Sequence, residues 1–286
     1  MPPEPPFYFP LALETQTFGF SIRNAQSLAL ASSWAYTKSP TVVGPKSDDQ
    51  AIFFDAGPAY VLAFMGTRDL RQWLLDFKAL QRKIPGGKAH DGLCHGMDDL
   101  IENIFATVKA APGLILNSAP VPKPLFITGH SRGGGLAELC AYLFVKQGLP
   151  VRAVYTYGGM RWANHSLAGA YNELLGDRTW RIVLPFDIVP HMPLTGWLLK
   201  YWHTMQEVFW RGGGVFNRTA ARKFLMDAIM FYQAWKHLRN LQALDLWEDV
   251  KKEHGISNYI MELGTAGTPA SGPAAPPLAT RHSQLL

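Results

Sequence analysis

The sequence is poor in the features that mark disulfide-rich, membrane-spanning and classically exported proteins. Its 286 residues include two cysteines, Cys94 and Cys140, which are too few for a disulfide framework. No run of about 18 apolar residues occurs, so we expect no transmembrane helix. The first residues contain no basic segment followed by an apolar run, so no secretory leader is predicted. These absences leave the compartment undecided between the cytoplasm and export without such a leader.

Charged residues are also sparse, at 17% of the chain, and the formal net charge is +5. A nucleic-acid-binding protein concentrates its basic residues in a stripe or patch. Here they are scattered, and the densest group is Arg218, Arg222 and Lys223. We therefore expect no nucleic-acid partner. Hydrophobic residues make up 48% of the chain, enough for a sizeable core.

Apolar runs alternate with helical periodicities along most of the chain. Strands are predicted at Ile52–Asp55, Tyr60–Phe64, Leu125–Thr128, Arg152–Tyr157 and Trp180–Leu184. Helices are predicted at Asn24–Tyr36, Asp69–Phe77, Gly92–Ala110, Leu136–Lys146 and Leu167–Leu175, with a loop over residues 78–92. Strands that alternate with helices predict an α/β fold with a mostly parallel sheet flanked by helices.

The last third of the chain changes in character. Aromatic residues are dense over residues 197–250, and this stretch is interpreted as a helical insertion. From residue 264 to 286 Gly, Ala, Pro and Thr dominate, which predicts a disordered tail. The sequence therefore predicts one domain over residues 1–263.

A glycine-rich turn carries the clearest sign of chemistry. Residues 129–133 read Gly129-His130-Ser131-Arg132-Gly133, after a predicted strand and before a predicted helix. G-x-S-x-G in this context is a nucleophile elbow, whose sharp bend needs small residues beside the serine. We expect Ser131 to be the nucleophile and the backbone N–H of Arg132 to hold a developing oxyanion.

A serine nucleophile needs a base that is oriented by an acid, in the chain order serine, acid, histidine. Asp187 follows a predicted strand and is the candidate acid. His191 comes too soon after it to face it. His203 and His254 both remain candidate bases, with His254 preferred because it precedes Gly255 in a predicted loop.

The second oxyanion donor is expected on an early loop. Thr67 follows the predicted strand that ends at Phe64 and offers both an N–H and a hydroxyl. Without the elbow, the same segment would be read as an ordinary strand-ending turn. The histidines lack the spacing of metal ligands, so no metal and no cofactor are expected.

Together these segments resemble the class 3 lipase family from about Ala51 to Leu263. The matching segments are Phe64–Thr67 with Trp73 and Asp76, His90–Gly92, Thr128–Ala137, Tyr157–Asn164, Asp187–His191, His203–Glu207 with Trp210, and His254–Tyr259. The resemblance implies the α/β-hydrolase fold, with His254 as the catalytic histidine and His203 as a non-catalytic one. Four features depart from the family pattern. Met65 replaces an arginine and Arg132 replaces a leucine. Residues 78–92, where the family carries its lid, are short, and the stretch between Trp210 and His254 is longer than usual.

The resemblance also implies a function. We expect a lipase-like serine carboxylic ester hydrolase that cleaves acyl esters of glycerides or related lipids through an acyl-enzyme. Its partner would be a lipid or ester substrate, met at a membrane or lipid-droplet surface. The alternatives are a phospholipase A-type enzyme, including a membrane-targeting toxin, and a non-catalytic lipid-binding module that keeps the fold.

Overall fold

The structure is a computed structural model that describes residues 7–8, 11–37, 42–43, 50–69, 79–114, 123–193, 200–204, 207–216 and 250–264. The strands are β1 Phe7–Tyr8, β2 Val42–Val43, β3 Ala51–Asp55, β4 Tyr60–Phe64, β5 Gln81–Ile84, β6 Gly87–His90, β7 Leu125–His130, β8 Ala153–Tyr157, β9 Thr179–Val183, β10 Glu207–Arg211 and β11 Gly214–Phe216. The helices are α1 Ile22–Trp34, α2 Asp91–Ala110, α3 Arg132–Lys146, α4 His165–Leu175 and α5 Ile256–Gly264, with a 3₁₀ turn at Val189–His191.

Within the described residues, nine strands form one sheet in the order β1-β3-β4-β7-β8-β9-β10-β11, with β2 paired to β3. The pairs from β4 to β10 are all parallel, and antiparallel pairs occur towards the two edges. This arrangement confirms the predicted α/β fold with a mostly parallel sheet flanked by helices.

Register places several strand ends side by side. Phe64 at the end of β4 pairs with Gly129 of β7, His130 pairs with Tyr157 at the end of β8, and Tyr157 pairs with Ile182 of β9. The carboxyl ends of neighbouring parallel strands therefore meet at one edge of the sheet, where such folds place their functional groups. The loops that follow β4, β7, β8 and β9 all begin at this edge.

Both faces of the sheet are covered, because alternate strand residues point to opposite sides. On one face Phe53, Leu62 and Ile127 pack with helices α2, α3 and α4. On the other, Phe126 and Ile182 pack with α1 and α5. Burying side chains of this size stabilises the fold by roughly 1.5–3 kcal/mol each, so the site rests on a rigid base.

Two segments differ from the sequence predictions. Residues 78–92 were predicted to be a loop but contain the β5–β6 hairpin, whose turn uses Gly86 at a φ of 96°. The prediction was wrong because the Gly-Gly pair was taken as a loop signal rather than as a hairpin turn. Residues 79–80 precede the hairpin without regular structure.

Part of the predicted helical insertion is also wrong. Residues 207–216 form β10 and β11, joined by Gly212 and Gly213, and β10 extends the parallel sheet beside β9. The aromatic density that suggested helices is equally typical of a strand. Residues 217–249 of the insertion, residues 70–77 of the predicted helix and residues 265–286 of the predicted tail lie outside the described residues.

Candidate active site

The predicted elbow is a single sharp bend at Ser131. The strand β7 runs to His130 and α3 begins at Arg132, so Ser131 alone makes the turn, with a φ of 60° and a ψ of −130°. A non-glycine residue in such a conformation costs roughly 1–3 kcal/mol and persists only where its surroundings hold it. Here the Ser131 N–H donates to the Tyr157 carbonyl at 2.9 Å, and its own carbonyl accepts from the Gly134 N–H at 3.0 Å.

Two glycines of the motif are required by close packing. A side chain on Gly129 would overlap the backbone of Gly133. A side chain on Gly133 would lie 2.5 Å from the Phe64 carbonyl and 2.9 Å from the Gly66 nitrogen. The first turn of α3 therefore lies directly against the loop that follows β4. This close approach explains why the residues beside the bend must be small.

Asp187 and His254 come together although 67 residues separate them in the chain. The ring Nδ1 lies 2.9 Å from Asp187 Oδ1 and 2.8 Å from Oδ2. The Tyr259 hydroxyl donates to Oδ2 at 2.6 Å, and the Val189 N–H donates to Oδ1 at 2.9 Å. Gly158 makes room for this pairing, because a side chain there would lie 2.5 Å from Asp187 Oδ2.

The surroundings of Asp187 keep its carboxyl group ionised. Complete burial by itself would raise the pKa of Asp187, but His254 and the hydrogen bonds from Tyr259 and Val189 lower it below its ordinary value. Burial and the neighbouring carboxylate raise the pKa of the Tyr259 hydroxyl well above its ordinary value, so it remains a donor. An ionised acid that accepts from Nδ1 places the ring proton there and leaves Nε2 as the basic nitrogen.

Two polar atoms of the site are left without a partner. The Ser131 hydroxyl oxygen and His254 Nε2 are both buried and make no hydrogen bond within the described residues. Buried polar atoms are normally paired, and exceptions concentrate at catalytic sites. These are the two atoms that the sequence predicts as the nucleophile and the base.

His203, the other candidate base, faces a different environment. Its Nε2 lies 2.6 Å from the Pro190 carbonyl, and burial, followed by the charges of Arg181 and Arg161, lowers its pKa well below the ordinary value. The described partners of Asp187 are His254, Tyr259 and the backbone of Val189. His203 thus anchors the chain that follows the acid instead of pairing with it.

The predicted oxyanion donors lie near each other. Gly66, which precedes Thr67, is so close to the elbow that a side chain on it would lie 3.0 Å from the Ser131 Cβ. The N–H of Arg132 opens α3, where the helix dipole favours negative charge. The Arg132 guanidinium turns away to donate to the Gly92 carbonyl at 2.9 Å. Met65, where the family carries arginine, is buried in the core on the α1 face of the sheet.

Residues 61–197 match the family model described as Lipase (class 3). This region belongs to the class 3 lipase family. A curated relative of this class 3 lipase region, secreted mono- and diacylglycerol lipase 1 of Fusarium solani, is 29% identical over 183 residues, which are 62% of this chain and 52% of the relative. A lipase of Rhizomucor miehei is 30% identical over 146 residues, which are 49% of this chain and 39% of the relative. The chain thus spans about half the length of these curated relatives or less.

Solved structures show the same fold. The mono- and diacylglycerol lipase of Aspergillus oryzae superposes with a TM-score of 0.59 at 17% identity, covering 71% of this chain and 84% of that one. At such identity the likeness shows the fold alone. The chain therefore has the α/β-hydrolase fold. Within the described residues no cluster of metal-ligating side chains occurs, and no helix is long and apolar enough to cross a membrane.

Sequence reasoning missed one group at the class 3 lipase site. The Tyr36 hydroxyl lies 2.8 Å from Nδ1 of His130, the residue before the nucleophile. Tyr36 ends a helical stretch 94 residues earlier, and nothing in its local sequence distinguishes it from a core tyrosine. His130 was predicted as part of the elbow, but the partners of its ring were not.

Proposed function

We propose that this class 3 lipase protein hydrolyses carboxylic esters of acylglycerols or related lipids, with Ser131 as nucleophile, His254 as base and Asp187 as acid. The observation that carries the proposal is the contact of His254 Nδ1 with both oxygens of the buried Asp187, which leaves Nε2 as the basic nitrogen of the ring. The unpartnered Ser131 hydroxyl supports the same roles.

In the first step the Ser131 oxygen attacks the ester carbonyl carbon while His254 Nε2 takes the hydroxyl proton. The carbonyl oxygen becomes an anion, held by the N–H of Arg132 and by Thr67. Asp187 stabilises the charged imidazolium without taking its proton. The bond to the alcohol then breaks as His254 protonates the leaving oxygen, and an acyl-enzyme remains.

In the second step a water molecule gives a proton to His254 and attacks the acyl-enzyme. The second tetrahedral anion occupies the same donors. It collapses when Ser131 leaves as a hydroxyl that recovers its proton from the imidazolium, and the fatty acid is released. The alcohol leaves with the proton taken from Ser131, and a proton from the water molecule replaces it on Ser131. The protein thus regains its starting protonation state without a cofactor.

The names of the relatives support the substrate class. The Fusarium solani relative is described as acting on mono- and diacylglycerols, and as secreted. We therefore include acylglycerols as substrates, a lipid surface as the place of encounter and export of the protein in the proposal. The chain spans about half the length of this relative, so the substrate, the lipid surface and the export are each part of the proposal.

Replacement of the nucleophile tests the reaction. Ser131→Ala is expected to lower hydrolysis of a p-nitrophenyl acyl ester by at least about 10⁴-fold, as in other serine hydrolases. Labelling by a fluorophosphonate should be lost in parallel. Ser33→Ala, at a partly exposed position on α1, is the matched control and should behave as the unmodified protein. Hydrolysis retained by Ser131→Ala would reject the mechanism, and unmodified protein that neither hydrolyses nor labels would favour a non-catalytic lipid-binding module.

Arg132 favours a second candidate, a phospholipase A-type activity. It follows the proposed nucleophile directly, where the family has leucine, and carries a guanidinium, a group that binds phosphate well. To bind phosphate, the guanidinium would exchange its contact with the Gly92 carbonyl for the substrate. Arg132→Leu should lower the rate on phosphatidylglycerol relative to neutral diacylglycerol by roughly fivefold, equivalent to about 1 kcal/mol. Arg23→Leu, at an exposed site on α1, controls for total charge. An unchanged ratio would exclude a role for this charge in substrate choice.

A further inference from the structure

The ring of His130 bridges two parts of the site. It is buried, at 5% exposed, and both of its nitrogens lie at hydrogen-bonding distance from another residue. Nδ1 is 2.8 Å from the Tyr36 hydroxyl, and Nε2 is 2.6 Å from the backbone carbonyl oxygen of His254. The residue before the nucleophile therefore touches the backbone of the proposed base.

The partners decide the direction of each hydrogen bond. A carbonyl oxygen only accepts, so Nε2 of His130 carries the proton and donates to His254. Nδ1 is then the acceptor, and the Tyr36 hydroxyl donates to it. The Tyr36 hydroxyl also lies against Gly66, where an added side chain would overlap it. A continuous path leads from the loop before Thr67, through Tyr36 and His130, to the backbone of His254.

His130 keeps this pattern because it stays neutral. Burial, followed by the nearby His254, lowers the pKa of His130 to about 3. The rings around it are those of Tyr36, His254 and Tyr259, with centroids 5.9, 4.6 and 6.0 Å away. Asp187 adds an opposing but smaller influence from behind His254. A neutral imidazole supplies one donor and one acceptor, which are the groups that its two partners require.

Packing makes the path short and rigid. A side chain on Gly66 would overlap the Tyr36 hydroxyl and lie 2.5 Å from the His130 carbonyl oxygen. Tyr36, Gly66 and His130 are therefore in direct contact, without space between them for rearrangement. Hydrogen bonds in such a setting hold their partners to a fraction of an ångström.

We propose that His130 and Tyr36 are positioning residues that lock the His254 backbone and the Gly66–Thr67 segment to the nucleophile elbow. This inference rests on the proposed function, since it concerns the same site. Neither residue is assigned a contact with substrate. A displacement of about 1 Å in a reacting group can cost on the order of 100-fold in rate, so the bridge acts on kcat through geometry.

Two substitutions of His130 separate its two hydrogen bonds. His130→Gln places an amide N–H near the position of Nε2 and keeps a donor for the His254 carbonyl. His130→Asn is too short to reach that carbonyl but keeps a polar group near Nδ1. With kcat counted per titrated active site, we expect a fall of roughly 100-fold for His130→Asn at unchanged KM. His130→Gln should lose at least about tenfold less.

Removal of the Tyr36 hydroxyl tests the other end of the bridge. Tyr36→Phe leaves His130 Nδ1 without its hydroxyl donor, and kcat should fall by about tenfold, the equivalent of one hydrogen bond. Tyr142→Phe is the matched control, because the Tyr142 hydroxyl donates to the Pro85 carbonyl at 2.9 Å, on the β5–β6 hairpin. The double variant Tyr36→Phe/His130→Asn should lose less than the product of the two single effects, since both act through one path.

The pH profile of kcat/KM distinguishes positioning from mere stability. A shifted His254 changes its contact with Asp187, so the acid limb of the profile should move in His130→Asn. A purely structural role would lower the titrated fraction and leave kcat per site and the profile unchanged, which would overturn the inference. If His130→Asn does not fold, the comparison of Tyr36→Phe with Tyr142→Phe decides the same question.

Ser131→Ala is measured in parallel. Its retained activity would reject the proposed function, whereas an inactive Ser131→Ala beside a normal His130→Asn would reject the bridge alone.

Discussion

The carboxyl groups of Asp187 and Glu138 are both buried, but their neighbours are paired to different extents. We call Ser131, Asp187 and His254 the triad cluster. In it the acid is fully paired, but the Ser131 hydroxyl and His254 Nε2 have no partner within the described residues. A buried polar atom without a hydrogen bond lowers the stability of the fold, and such atoms are found mainly where they bind or react with a ligand.

Glu138 lies two turns after Ser131 on α3 and has a fuller set of partners. Its Oε2 accepts from Trp162 Nε1 at 2.6 Å and from the Thr204 hydroxyl at 2.8 Å, and Oε1 accepts from Thr156 at 3.4 Å. Burial raises the pKa of Glu138, while Arg181 and these donors oppose the rise. We call these five residues the Glu138 cluster. Because it joins α3 to β8, β9 and the chain after the acid, it holds the nucleophile helix in place.

The comparison teaches a division of roles between two buried polar clusters, each built around one carboxyl group. A network whose central carboxyl group accepts three hydrogen bonds stiffens the fold. A network that leaves a nucleophile and a base unpaired keeps them available for chemistry. If this division holds, substitutions in the triad cluster should affect turnover, and substitutions in the Glu138 cluster should affect stability.

The largest expected effect comes from Asp187→Asn. The amide cannot fix the proton on Nδ1 of His254, so kcat per titrated site should fall by about 10⁴-fold, as in other triads. The geometry should be retained, so urea unfolding should change far less than turnover. An Asp187→Asn protein that is much less stable to urea but keeps its turnover would contradict the assignment of turnover to the triad cluster.

A smaller effect is expected from Glu138→Leu. Trp162, Thr204 and Arg181 would lose a buried acceptor, and the free energy of unfolding should fall by about 3 kcal/mol, measured by urea denaturation. Glu102→Leu, at an exposed position of α2, is the matched control and should fall by less than about 0.5 kcal/mol. Turnover per titrated site should stay within a few-fold. A turnover loss comparable to that of Asp187→Asn, in folded protein, would contradict the comparison.

The smallest expected effect is the change of stability with pH caused by one buried histidine beside each cluster. His130 lies beside the triad cluster, and His203 precedes Thr204 of the Glu138 cluster. The pKa of His130 is lowered to about 3 and that of His203 well below its ordinary value. Both are neutral when folded but bind a proton in the unfolded chain below about pH 6.5. The contribution of each neutral ring to the free energy of unfolding is therefore fully present above about pH 6.5. It is lost as the pH falls towards the pKa of that histidine in the folded protein. Each histidine contributes a slope of about 1.4 kcal/mol per pH unit.

Urea unfolding between pH 6.5 and 5 measures this slope. His130→Gln and His203→Gln should each lower it by a similar amount. Glu138, whose pKa is raised, acts in the opposite direction, so the measurement is repeated in Glu138→Gln. A slope that neither histidine substitution changes would show that neither ring is held neutral by burial.

Features formed by residues that are close together in the chain could be predicted from the sequence, and contacts between distant residues could not. The elbow could be predicted because the strand, the bend and the helix follow one another directly in the chain. The glycines beside the bend indicate that these elements pack closely. The segment around Asp187 follows directly from the end of a strand. Residues 207–216 were misread because aromatic residues favour strands and buried helices alike, and their pairing with β9 is not encoded locally.

What the amino-acid sequence determined by itself was the fold class, the family and the residue types of the site, with Ser131 and Asp187 as candidates by position. Spacing left His203 and His254 open, and the family resemblance preferred His254. Only the tertiary structure decided which imidazole meets the acid, and that Tyr36 and His130 join the oxyanion loop to that imidazole. The physical reason is that hydrogen bonds between residues 67 to 124 positions apart depend on how the sheet and its helices pack, which no local pattern records.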